Sequence, residues 1–282
     1  MNYFVKLSKR ALGFVMTVVK ESVDKEVMPL SVQLTYKLIF ALFPFIIFLV
    51  TLVGHFDIEP DMLIYEAYGL FPYEVAAFIE GIFNDLTTQR PNLMSFSLGF
   101  TMLTIAAAFR TLMYGINKVH GGVRGRPFLL QWLYGTVLTI VLALSIVFSM
   151  LLLVFRDVLY NAIGHIVERG VITDLIFGFA GIGLVVLTML AVIVLIYQLS
   201  NGKRQKLREL LPGAVFTLLT WYLISMPFNF YINNFSRYSV IYGSIASIFI
   251  TMLWLNIISA AILIGAVINA ALLGGKLQSK GR

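Results

Sequence analysis

Apolar stretches about as long as the ~20 residues that a helix needs to cross a bilayer recur along the whole chain. Apolar residues arranged in this way cannot be gathered into one water-shielded core, so an integral membrane protein is expected. The charge content agrees: 12% of the 282 residues are charged and 59% are hydrophobic, whereas an average soluble domain is roughly a quarter charged. Runs poor in charge predict six transmembrane helices near residues 30–54, 93–115, 129–155, 174–199, 211–235 and 245–273. The expected fold class is therefore all-α, a polytopic membrane protein. Residues 1–282 are read as a single membrane domain, because no soluble-domain boundary, low-complexity tract or in-register repeat interrupts them. Met1–Lys20 interleaves basic with apolar residues and lacks the compact apolar run of a cleavable signal peptide, so it is expected to remain on the protein. The absence of cysteine excludes disulfides and thiolate metal sites.

The basic residues give the expected orientation. Of 21 Lys and Arg, fifteen fall in the N-terminal segment, the second and fourth loops and the tail. Arg90, Arg156, Arg169 and Arg237 are the only ones in the alternate loops. The positive-inside bias predicts both termini in the cytoplasm. Half of the fourteen acidic residues lie in the first outer loop, at Asp57, Glu59, Asp61, Glu66, Glu74, Glu80 and Asp85. After Pro72 in that loop, Val75, Phe78, Ile79, Ile82 and Leu86 recur at helical spacing, which predicts an amphipathic helix capping the bundle. Near the N-terminus, Leu7, Ala11, Phe14, Val15 and Val18 form an apolar stripe opposite Lys6, Lys9, Arg10, Thr17 and Lys20. This pattern suits an interfacial helix on anionic headgroups.

Two cations fall inside predicted spans, Lys37 in the first and Arg110 in the second, at a shared depth of roughly 8 to 10 Å by helical rise. No carboxylate lies between Asp85 and Asp157 or beyond Glu209. Buried charges need counter-charges, and a phosphate headgroup would serve both a guanidinium fork and an ammonium. The competing reading is that both side chains snorkel to the inner surface. Tyr36 beside Lys37, with Asn256 and Asn269 in the sixth span, completes the candidate substrate-binding set. The two amides also suit interhelical hydrogen bonding. Pro44, Pro227 and Gly243 are candidate kinks or hinges. Small residues at four-residue spacing, Ala107, Thr111 and Gly115, then Ala261, Gly265 and Asn269, predict close helix crossings.

Catalysis is not expected. Hydrolysis of RNA needs acid-base groups or a metal site converging at the phosphate, yet His55 and His165 are predicted outside and His120 inside. Neither a metal site nor a cofactor is expected, nor is nucleic-acid binding, since the basic loops lack interleaved aromatics. The spans offer no Asp or Glu proton relay, and no Gly-rich Lys-Ser/Thr phosphate loop occurs.

Several local patterns together resemble the YihY/virulence factor BrkB family, also labelled ribonuclease BN-like. They are Gln33-Leu34-Thr35-Tyr36-Lys37 followed by Leu42-Phe43-Pro44, then Asn117 with Arg124-Gly125-Arg126, Leu211-Pro212-Gly213, Tyr242-Gly243-Ser244, Trp254, and Gly265-Ala266-Val267-Ile268-Asn269-Ala270. Val267 stands where the family often has glutamate, which removes a carboxylate from that position. The resemblance implies a six-helix bacterial inner-membrane protein and suggests transport or flipping of a lipid-like molecule. The expected function is thus transport of an anionic amphipath, with membrane lipids as partners. The alternatives are a scaffold in envelope biogenesis, binding an envelope protein or a second copy of the chain, and an anion channel.

Overall fold

The computed structural model describes residues 2–54, 64–65, 68, 73, 75–77, 79–81, 94–122, 127–163, 171–200, 205–234 and 244–280. Among these residues the regular structure is entirely helical. Seven long helices follow one another: α1 Asn2–Asp24, α2 Val27–Gly54, α3 Met94–Val119, α4 Phe128–Ile163, α5 Val171–Ser200, α6 Leu207–Asn234 and α7 Ser244–Lys280. Helices α2 to α7 occupy the six apolar runs. Four described segments are long and apolar enough to cross a membrane: Leu129–Ile146, Gly183–Ser200, Leu207–Ser225 and Ile248–Leu273. Val27–Leu42 is a shorter apolar helix. The chain is thus a multi-pass helical membrane protein.

Helix α3 is the hub. It packs against α2, α4, α5 and α7. Ile105, Ala108, Phe109, Leu112, Met113, Ile116 and Val119 on it are all buried in the main core. A helix buried over most of its circumference is shielded by its neighbours from lipid on those sides.

The α6–α7 crossing is tied by polar groups. Gly213 and Gly265 meet so closely that a Cβ on Gly213 would lie 2.1 Å from the Gly265 carbonyl oxygen. Asn269, fully buried, accepts from the Gly213 N–H at 2.7 Å and donates to the Leu210 carbonyl at 3.1 Å. Tyr197 of α5 donates to the Ile262 carbonyl at 2.8 Å and shares a 2.8 Å hydrogen bond with Thr217. In hydrocarbon such amides and hydroxyls must find protein partners, each pair contributing about 0.6 kcal/mol on average. A second close approach joins α3 and α4, where a Cβ on Gly135 would lie 2.9 Å from the Ala106 carbonyl oxygen.

The described residues of the acidic loop from Tyr73 to Gly81 are helical, and Val75 and Ala76 are buried. Val75 packs with Phe228, Trp254 and Ile258, and Ile79 against the same cluster, so the apolar side of this stretch is turned to α6 and α7. Phe78, Ile82 and Leu86 are outside the described residues. On α1 the expected stripe is divided: Val18 packs against the core, while Val15 joins Leu12, Met16, Val19 and Val23 on an exposed apolar face. The helix presents two apolar faces because it rests on α2 and α7 with only one of them.

Candidate functional site

The two span cations reach the same turn of α3. Lys37 on α2 donates a hydrogen bond from Nζ to Thr111 Oγ1 on α3. The Thr111 hydroxyl also donates to the Ala107 carbonyl at 3.2 Å. Arg110, the residue before Thr111 on α3, sets its guanidinium over the Trp132 ring of α4, 5.6 Å from the centroid. A guanidinium over an indole is worth about 0.5 to 2 kcal/mol depending on desolvation, and it holds the planar fork in one orientation.

The pair sits well inside its helices. Because α2 begins at Val27, Lys37 lies about 15 Å along it at 1.5 Å per residue, and Arg110 lies about 14 Å from the end of α3. Lys37 reaches sideways to Thr111 and does not run along its helix toward the end, so its geometry is that of an interhelical contact and not of a snorkelling anchor. Both side chains are half-buried.

The remaining candidates separate from this pair. Tyr36 is 59% exposed and stacks on Phe40, ring centroids 4.9 Å apart. Consecutive residues project about 100° apart on a helix, and Tyr36 therefore faces away from α3. Asn256 donates to Thr35 Oγ1 at 3.4 Å, on the side of α2 turned toward α7. Asn269 lies about 20 Å farther along α7 and spends both ends of its amide on α6 backbone. Pro44 is buried within an uninterrupted α2. Pro227 lies within α6, and Gly243 is outside the described residues.

His120, expected as an interfacial or solvated residue on the inner side, is half-buried just past the end of α3. Its Nδ1 is 2.9 Å from the Ile116 carbonyl oxygen, so Nδ1 donates and Nε2 carries the lone pair. Nε2 is buried and has no hydrogen-bond partner among the described residues, and burial holds the imidazole below its ordinary range. At the same end of the bundle Lys118 pairs with Glu26. Glu26 adopts φ 58° in the two-residue break between α1 and α2. Among the described residues no three His, Asp or Glu side chains gather as a metal site would require.

Comparison with known proteins gives the relationships. The chain is 27% identical over 243 residues to the "ribonuclease-like protein YfkH" of Bacillus subtilis (strain 168), covering 86% of this chain and 88% of that protein. It is 28% identical over 273 residues to a "UPF0761 membrane protein" of Chromobacterium violaceum, covering 92% of this chain. It is 26% identical over 267 residues to a protein of the same name from Saccharophagus degradans, covering 91%. The matches span 62% and 59% of the lengths of those two relatives. No solved structure matches the chain. The profile of the virulence factor BrkB family matches residues 18–280, and the chain belongs to that family of membrane proteins.

Proposed function

We propose that this protein crosses the bacterial plasma membrane six times, with both termini in the cytoplasm, and moves an anionic lipid-like amphipath across it. The observation that carries this reading is the Lys37–Thr111 hydrogen bond, which brings Lys37 of α2 to the turn of α3 that carries Arg110. Neither α2 nor α3 contains an acidic residue. Two adjacent like charges in a low-dielectric setting repel, and a phosphate bridging them relieves the repulsion while supplying oxygens to both donors. The Arg110 fork held over Trp132 and the Lys37 ammonium against Thr111 form a preoriented pair for such a group. The six spans and their direction rest on the six long helices together with the fifteen-to-four division of basic residues. The reading is of a carrier and not of an enzyme.

Reconstitution tests it. Purified protein in phosphatidylethanolamine vesicles receives a fluorescent phosphatidylglycerol, and inner-leaflet label is followed by its protection from an external quencher. Wild type is expected to exchange the label between leaflets, and the Lys37→Gln, Arg110→Gln double variant to lose this activity. Exchange no faster than in protein-free vesicles would defeat the proposal. Labelled RNA incubated with the same preparation is expected to stay intact.

A further inference from the structure

The flank of the bundle beside the cation pair has a shape and a chemistry of its own. Helix α3 packs against α2 on one side and α4 on the other, while α2 and α4 make no comparable contact with each other among the described residues. A groove therefore runs between α2 and α4, with α3 as its floor. Most of α3 is buried, and the side that is not carries Leu103, Arg110, Tyr114 and Lys118. These positions recur at seven- and four-residue spacing and so fall along one line of the helix.

Contacts between α2 and α3 set the level of each side chain along the groove. Lys118 pairs with Glu26, Gly115 lies beside Leu30, and Thr111 accepts from Lys37. Interpolating along this antiparallel register brings Tyr114 level with Val32, with Gln33 one residue farther along α2. Gln33 is exposed and Tyr114 is 56% exposed. From the basic end inward the groove thus offers Glu26 with Lys118, then Gln33 with Tyr114, then Lys37 with Arg110. On a lipid-facing flank an exposed amide meets hydrocarbon and leaves its donors and acceptors unsatisfied, at a cost of several kcal/mol for each polar group. The outer rims are apolar: Tyr36 and Phe40 are exposed on α2, and Leu129 and Leu133 on α4.

We infer that this groove is a headgroup track for a membrane glycerophospholipid with a net negative phosphate headgroup. The headgroup runs along the polar floor from the basic end to Lys37 and Arg110, while the acyl chains stay in the bilayer against the apolar rims. A wholly soluble anion would need no apolar rim, and a neutral lipid would need no cations on the floor. The inference rests on the transport reading for its purpose, and binding in the groove can be read independently of transport.

Photo-crosslinking tests the track. Gln33→benzoylphenylalanine and Tyr114→benzoylphenylalanine alter exposed positions and leave the core intact. Leu219→benzoylphenylalanine, at a 54% exposed site on α6, serves as control. In vesicles of equal phosphatidylglycerol and phosphatidylethanolamine, adducts at 33 and 114 are expected to favour phosphatidylglycerol roughly tenfold, the ratio that one charge-assisted contact supports. The preference should vanish when Lys37→Gln and Arg110→Gln are added, and be absent at 219. Native mass spectrometry of the unsubstituted protein is a second measurement, expected to retain phosphatidylglycerol. Equal adduct ratios at 33, 114 and 219, or retention of both lipids alike, would overturn the track. Preference in the groove without leaflet exchange by wild type would sink the transport reading and leave the site standing. Exchange without preference would do the reverse.

Discussion

Replacing Gly265 with alanine should loosen the whole α6–α7 seam. The new Cβ would stand 2.3 Å from Tyr197 Oη, 2.5 Å from Thr217 Oγ1 and 2.6 Å from the Gly213 carbonyl oxygen. Ordinary carbon contacts begin near 3.4 Å, so these atoms must retreat by about 1 Å. Gly213 belongs to the backbone of α6, so its retreat moves the helix and cannot be met by a rotamer change. Overpacking of this kind costs about 1–3 kcal/mol. Stretching the Tyr197–Thr217 and Tyr197–Ile262 hydrogen bonds adds about 1 kcal/mol. The gain in helix propensity from glycine to alanine offsets about 1 kcal/mol. The net loss is about 1–3 kcal/mol, or a melting temperature about 2–5 °C lower for a chain of this size. Intrinsic fluorescence during heating in detergent reads the change, since Trp221 and Trp254 stack edge-on across this seam at 5.4 Å. Gly183→Ala is the control: a Cβ there meets nothing within 4 Å, and the variant should melt at or slightly above the wild-type temperature. Gly265→Ala melting within about 1 °C of wild type, or Gly183→Ala falling just as far, would refute the close-packing argument.

Asn269→Ala removes both side-chain contacts to the first turns of α6. A loss of about 1–2 kcal/mol is expected by the same thermal assay, and an unchanged melt would mean that α6 is held elsewhere. His120 should make stability depend on pH. Because burial lowers its folded-state pKa below 6.5, the unfolded chain takes up a proton first on acidification. Its contribution is therefore intact above about 6.5 and declines as pH falls toward the folded-state value. Melting temperatures between about pH 7.5 and 5.5 should fall less steeply in His120→Gln than in wild type, and parallel profiles would remove His120 from the account.

Much of this was legible in one dimension. Apolar runs and their lengths gave α2 to α7, because hydrocarbon demands that every backbone group be satisfied within its own helix. Helical rise was enough to bring Lys37 and Arg110 to a common level, and the spacing of Ala261, Gly265 and Asn269 marked a close crossing before its partner was known. Direction and neighbour were not legible. Nothing in Tyr36-Lys37 says which of the two points at α3, and nothing in Asn269 says that its amide is consumed by Gly213 and Leu210. The buried seat of Val75 and the hub position of α3 likewise depend on which helices touch. Gln33 and Tyr114 were passed over because each is unremarkable alone and becomes a pair only through the antiparallel register of α2 and α3. The sequence by itself determined which segments are helical and apolar, since that balance is struck locally between backbone, side chain and solvent. Only the tertiary structure decided which polar groups meet, since interhelical packing is a choice among many apolar faces of nearly equal energy.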